Sequence, residues 1–189
     1  MRKLVYYVGT TIDGFIAAPD GSIDFFPVTP DVLDFLIHDY PDALPTHVRA
    51  QLGVDVPNPN FDVGVQGRTT FQAALDIGVT SPYAHLQQIL VSTSMTESPD
   101  PTVEILSTGI VERIRQLKAE DGKDIYLMGG SRLAGSLLAE IDALVLKVYP
   151  VVAGAGIPLF TTGFSPTSFT LTGTRSLENG TVVLSYDRT

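Results

Sequence analysis

Apolar positions along the chain fall into two alternating kinds of run. Leu4-Val5-Tyr6-Tyr7-Val8, within Lys3 to Thr11, is unbroken and β-rich, the pattern of a central strand covered on both faces. Phe61-Asp62-Val63-Gly64-Val65, Gln88 to Ser92, Val103 to Leu106, Asp124 to Met128 and Ala143 to Val148 read as further strands. Helical patterns separate them, at Arg68 to Leu75, at Gly109 to Ala119 and at Ser131 to Ala139. In the second of these, Ile110, Ile114 and Leu117 fall on one face of a 3.6-residue period. Thr29-Pro30-Asp31 opens an earlier helix, with Thr29 as N-cap, Pro30 at the first position and Val32, Phe35 and Leu36 as its apolar face. Ser168 to Arg175 and Thr181 to Asp187 form a hairpin closed near Glu178-Asn179-Gly180. Strands alternating with helices and then a terminal hairpin predict a mainly parallel α/β sheet with an antiparallel edge.

One stretch has no clear period. From Asp39 to Asn60 the chain is interrupted by Pro41, Pro45, Pro57 and Pro59. It is expected to be an irregular surface insertion, at about 39–60, with room for a short helix from Thr46 to Leu52. Neither flank could fold alone, so residues 1–189 are read as a single domain.

Composition narrows the function classes. In 189 residues, 44% hydrophobic and 17% charged, disorder is excluded as a general description. No apolar run approaches the roughly 18 residues of a membrane span. The first strand begins almost at Met1, without a signal-peptide pattern. Cysteine is absent, which removes a disulfide framework, a thiol nucleophile and a cysteine-based zinc site together, and a cytoplasmic location is expected. Twelve Lys and Arg against a net charge of -9 form no basic stripe, so nucleic acid is not an expected partner. In such a chain an arginine beside a glycine turn is informative.

Two such places exist. Met128-Gly129-Gly130-Ser131-Arg132 lies where a buried strand meets a helix, and Gln66-Gly67-Arg68-Thr69-Thr70 repeats the arrangement. Glycine lets a ligand approach the backbone there, and first-turn N–H groups favour an anion. Glycines at a tight βα turn serve connection equally well. Ser92-Thr93 adds hydroxyls at the end of another strand. In a parallel sheet all three share the carboxyl edge, where ligands bind, so a dinucleotide or similar cofactor is favoured. Other templates fail: Gly154-Ala155-Gly156 is followed by Pro158 and Leu159 where a Rossmann fingerprint needs its third glycine. His38, His47 and His85 stand singly, without metal-ligand spacing, and no metal site is expected.

In order, these segments resemble the dihydrofolate reductase-like superfamily, closest to stand-alone relatives of the riboflavin-biosynthesis reductase (RibD C-terminal) domain. The resemblance rests on Thr11-Ile12-Asp13-Gly14-Phe15-Ile16-Ala17, Asp20 to Phe25, Asp62 to Phe71, Ile89 to Ser92, Met128 to Ser131, and Pro150 with Gly154 to Phe160. It implies a three-layer fold and an NADPH-dependent reductase acting on a small heterocyclic or carbonyl substrate. A protein that kept the fold and binds the nucleotide without catalysis is the alternative. Gly67, Arg68, Thr69 and Thr70 match the family's first phosphate-binding junction, and Ser92 and Thr93 its ribose and 2′-phosphate contacts. Met128, Gly129, Gly130, Ser131, Arg132 and Leu133 match the pyrophosphate junction, and Gly9, Thr11 and Ile16 flank the nicotinamide. Asp31, four residues before Phe35, has the spacing of the folate reductases' catalytic acid, with Asp24 or a water as the other proton source. Ordinary charge at a helix N-terminus explains Asp31 equally. Leu86 stands where folate reductases carry the arginine that grips folate's tail, which argues against folate. The relatives' habit of pairing implies a possible homodimer.

Overall fold

The structure, a computed structural model, describes residues 1–189. Its strands are β1 (Leu4–Thr10), β2 (Phe15–Ala17), β3 (Phe61–Gly67), β4 (Gln87–Val91), β5 (Val103–Leu106), β6 (Asp124–Gly129), β7 (Ala143–Val148), β8 (Ile157–Pro158), β9 (Phe169–Ser176) and β10 (Val182–Arg188). Its helices are α1 (Pro30–Asp39), α2 (Thr46–Leu52), α3 (Arg68–Asp76), α4 (Ile110–Ala119) and α5 (Ser131–Ser136), with a 3-10 turn at Pro41–Ala43. No helix is long and apolar enough to cross a membrane.

The main sheet has the order β5-β4-β3-β6-β1-β7-β10-β9. Strands β5 to β7 in that order are parallel throughout, and β10 runs antiparallel to both β7 and β9. The unbroken apolar strands follow from burial on two faces. Leu4 and Tyr6 of β1 join Ile125 and Leu127 of β6 on one face, beneath Ile114 and Leu117 of α4 and Leu133 of α5. Val5 and Tyr7 point the other way, with Tyr126, Met128 and Val145, beneath Phe35 of α1. Three layers result, as in the dihydrofolate reductase-type fold.

Two elements differ from expectation. Helix α5 ends at Ser136 rather than Ala139, because Gly135 and Ser136 are poor helix formers and the chain then closes in short turns. The 39–60 segment is not a loose surface insertion. Asp42 is fully buried and its carboxylate accepts the backbone N–H groups of Asn60 and Phe61, both at 2.6 Å. Arg49 donates to Asn58 at 2.8 Å, and Asn58 to the His85 carbonyl at 2.8 Å. Side chains rather than periodicity order this arch, and it carries α2 over one face of the sheet.

Candidate functional site

Because β1, β3, β4, β6 and β7 are parallel, Thr10, Gly67, Val91, Gly129 and Val148 end on one edge of the sheet. A cleft of about 1240 Å³ runs along that edge and over the face that carries α1. Single small-molecule sites occupy roughly 300–1,000 Å³, so this one has room for more than one ligand.

At the β3–α3 junction Gly67, Arg68, Thr69 and Thr70 all line the cleft. Gly67 is extended, at φ −84° and ψ 164°, and caps α3 without a side-chain hydrogen bond, which leaves first-turn N–H groups free of a side-chain acceptor. Met128, Gly130, Ser131, Arg132 and Leu133 line it from the neighbouring β6–α5 junction. Gly129, at φ +103° and joined to Gly130 by a cis peptide bond, lies behind that wall. Ser92 and Thr93 come from the end of β4, Gly9 from β1 and Ile16 from β2.

Several of these residues do a different job from the one expected. The Ser92 hydroxyl accepts the N–H of Met95 at 3.0 Å and that of Ser94 at 3.3 Å, so it shapes the turn and leaves Thr93 and Ser94 exposed. Ser131 is buried and its hydroxyl meets that of Thr161 at 2.6 Å. Met128 and Leu133 are mostly in the core and form walls. Thr11 is outside the cleft: its hydroxyl donates to Asp13 at 2.6 Å and accepts the Phe15 N–H at 2.9 Å. Asp13 also accepts the N–H groups of Ala153 and Gly154, and these bonds hold its carboxyl down at about 2. The loop after β1 is thereby tied to the segment that supplies β8, its partner in a small antiparallel pair.

Neither expected acid lines the cleft. Asp24 is exposed, and Asp31 accepts the N–H of Asn179 at 3.0 Å, in the β9–β10 turn. The neighbouring Thr29 hydroxyl and the N–H donated by Asn179 hold the Asp31 carboxyl below its ordinary value. A depressed folded value means a contribution to stability that is present above the ordinary carboxylate range of about 4 and is lost as pH falls through the lower folded value. Asp31→Asn is therefore expected to remove part of that acid-side dependence in melting experiments at several pH values, and to leave nucleotide-dependent turnover unchanged. A large loss of turnover at neutral pH would return Asp31 to the chemistry.

Charge in the cleft is one-sided. No Asp or Glu lines it, and its cations are Arg68, Arg132 and Lys147. Neither arginine is within ion-pair distance of a carboxylate. Both lie toward β3 and β6, whereas Lys147 of β7 sits on the far side of β1. That far end is aromatic: Tyr7, Phe26 and Tyr149 line it, with Phe26 and Tyr149 centroids 4.7 Å apart, and Tyr126 of β6 and Tyr83 before β4 continue the aromatic lining of the cleft. Gly9 makes this space, since a Cβ there would come within 2.9 Å of the Tyr149 ring. Lys147 holds its ammonium 4.3 Å from the Tyr7 ring centroid, and burial pushes its pKa down to about 8. Three lining residues carry a sealed polar atom with no hydrogen-bond partner, namely Tyr7 Oη, His47 Nδ1 and Gln66 Nε2. Each such atom costs about 1–3 kcal/mol unless something completes it.

Tyr7, His47, Gln66, Lys147 and Tyr149 were not legible as site residues. Four of them sit in or beside strands, where they read as core or rim, and His47 lies in the proline-rich arch. The one available signal was a lysine within the apolar run Ala143 to Val148.

A mainly parallel three-layer sheet with a long cationic and aromatic cleft on its carboxyl edge defines a reductase-type fold. The chain belongs to the RibD C-terminal domain family, whose model matches residues 68–183. It is 30% identical to the uncharacterized protein YwjB of Bacillus subtilis, over 92% of this chain and 91% of that protein. YyaP of the same organism, also uncharacterized, is 25% identical, covering 98% and 94% of the two chains. Among solved structures, a putative riboflavin biosynthesis protein from Shewanella sp. PV-4 superimposes with a TM-score of 0.73 at 24% identity, covering 99% of each chain. A diaminohydroxyphosphoribosylaminopyrimidine deaminase/5-amino-6-(5-phosphoribosylamino)uracil reductase from Thermotoga maritima gives 0.64 at 14% identity, with all of this chain spanning 57% of that one. These two likenesses establish the fold.

Proposed function

We propose that the protein is an NADPH-dependent reductase that passes a hydride to a small heterocyclic or carbonyl substrate. The observation that carries this reading is the cleft's division into two unlike halves. One half holds two unpaired arginines, free hydroxyls and the start of α3, all suited to phosphates. The other is an aromatic chamber with unpartnered polar atoms. From β4 to β7 the strands span about 19 Å at ordinary sheet spacing, a distance that suits an extended dinucleotide lying along the edge. When bound, the dinucleotide supplies the hydride. The chain's residues grip its phosphates, present its ring to the aromatic chamber and keep water away from the reacting carbon. Membership of a reductase-like family supports the same assignment.

The direct test is titration with NADPH followed by its fluorescence, then NADPH oxidation with a panel of pteridines, flavin precursors and simple carbonyl compounds. Binding with steady oxidation is the expected result. Tight binding without turnover of any panel member would favour a nucleotide-binding protein that has lost catalysis. Absence of NADPH binding at millimolar concentration would overturn the reading.

A further inference from the structure

We propose that Lys147 is the proton donor of the substrate half of the cleft, and that it selects a flat, phosphate-free ring bearing a carbonyl or imine. This rests on the reductase reading and assigns the substrate class and the acid for the same site.

Position argues first. Lys147 pairs in register with Gly9 on one side and with Val183 on the other. The missing Gly9 side chain leaves its ammonium bordering the chamber, above the Tyr7 ring. The titratable groups around it are Tyr7 from β1 and Tyr149 beyond the end of its own strand, with Tyr83, Tyr126 and His47 from the other walls. No carboxylate is among them. No carboxylate is within ion-pair distance of the ammonium, which meets only the Tyr7 ring, and burial lowers its pKa. A half-buried lysine left in that condition, over the ring of Tyr7 whose hydroxyl is itself sealed and unpartnered, is a group that a ligand completes.

Chemistry follows from the charge. Hydride addition to the carbon of a C=O or C=N group pushes the π pair onto oxygen or nitrogen, which must take a proton. The cleft has no carboxylic acid, and the tyrosines lining the chamber have pKa values raised by burial, which weakens them as acids. An ammonium titrating near 8 is charged at neutral pH and releases its proton more readily than an ordinary lysine. The Nζ–H bond breaks as the O–H or N–H bond forms, and the neutral amine regains a proton from water. The substrate gains two electrons, and the dinucleotide loses them. Selection follows from the same walls. Lys147 is the only Lys or Arg at this end of the cleft, because Arg68 and Arg132 follow β3 and β6 on the other side of β1, so a phosphate on the substrate would lack a second donor. Tyr7, Phe26 and Tyr149 instead offer ring faces.

The test uses the full chain with NADP(H) and three probes: isatin and lumazine as phosphate-free dione rings, and uridine 5′-monophosphate as a phosphate-bearing one. Wild type, Lys147→Met and Lys147→Arg are compared. At least one phosphate-free ring is expected to bind the NADP⁺-loaded wild type more tightly than uridine 5′-monophosphate. Lys147→Met should weaken that ring by about tenfold or more with NADPH affinity unchanged. Lys147→Arg should keep the ring but slow its reduction by about a hundredfold, since a guanidinium does not release its proton. Wild-type turnover should fall as pH rises through about 8, and the titration of ε-¹³C-labelled Lys147 should move upward when the ring binds. The inference is overturned if neither ring binds, if uridine 5′-monophosphate binds best, if Lys147→Met reduces a ring as fast as wild type, or if the lysine titration ignores the ring. Loss of NADPH binding in wild type with Lys147-dependent ring binding intact would instead sink the cofactor reading, and with it the proton-donor role.

Discussion

Asp42→Ala is expected to lower stability by about 3–5 kcal/mol, because two backbone donors lose their acceptor together and each loss costs about 1–3 kcal/mol. The carboxylate is fully buried, and its Oδ2 takes the N–H groups of Asn60 and Phe61 where the arch enters β3. Its Oδ1 accepts the Asn60 amide at 3.1 Å, and the Asp42 carbonyl accepts from His85 Nε2 at 3.0 Å. In urea, at about 2 kcal/mol per molar, the midpoint should fall by roughly 1.5–2.5 M. Asp42→Asn keeps an acceptor oxygen and should fall by less. Asp55→Ala, on the exposed part of the same arch, should change stability by no more than about 0.5 kcal/mol. Equal effects for Asp42→Ala and Asp55→Ala would mean that the arch is the loose insertion its prolines suggest. The arch also brings Pro45 and His47 to the cleft, so Asp42→Ala should impair the substrate half before it impairs nucleotide binding.

The same arch shows where reading a sequence runs out. Apolar runs located the parallel strands of the main sheet, because burial on two faces leaves a continuous signal, whereas β9 and β10 were legible through the Glu178-Asn179-Gly180 turn, since β9 is mostly exposed. Between Asp39 and Asn60 order comes from Asp42, Arg49 and Asn58 reaching across the chain, and such bonds have no period. The arginine-bearing glycine junctions were legible for a local reason, since strand end, glycine and helix start are contiguous. Lys147 became a site residue only through register, which puts Gly9 opposite it from a strand far away in sequence. Asp31 misled through spacing. Residues four apart share a helix face, yet Phe35 is buried in the core while Asp31, one turn earlier, lies over the Asn179 turn. A spacing fixes a direction along the helix and says nothing of what stands opposite.

Removing both arginines should have the largest effect on ligand binding. Arg68 and Arg132 open adjacent helices, line the same half of the cleft and have no carboxylate partner. In a chain of net charge -9, a bound phosphate without them would meet a repulsive field. Each charged hydrogen bond is worth about 1.5–3 kcal/mol, so Arg68→Ala with Arg132→Ala should cost about 3–6 kcal/mol, on the order of 10²–10⁴-fold in Kd for NADPH. The single variants separate the roles. If Arg68 holds the 2′-phosphate, Arg68→Ala should weaken NADPH more than NADH, and added salt should narrow the gap between the two nucleotides in wild type by screening that contact. If it holds the pyrophosphate, both nucleotides lose equally. Neither arginine is sealed in the core, Arg132 being exposed and Arg68 half-buried, so stability should remain near wild type and a binding loss can be read as such. A double variant that binds NADPH as wild type does would remove the nucleotide from this half of the cleft, and the aromatic chamber would then have to be explained without a neighbouring hydride donor.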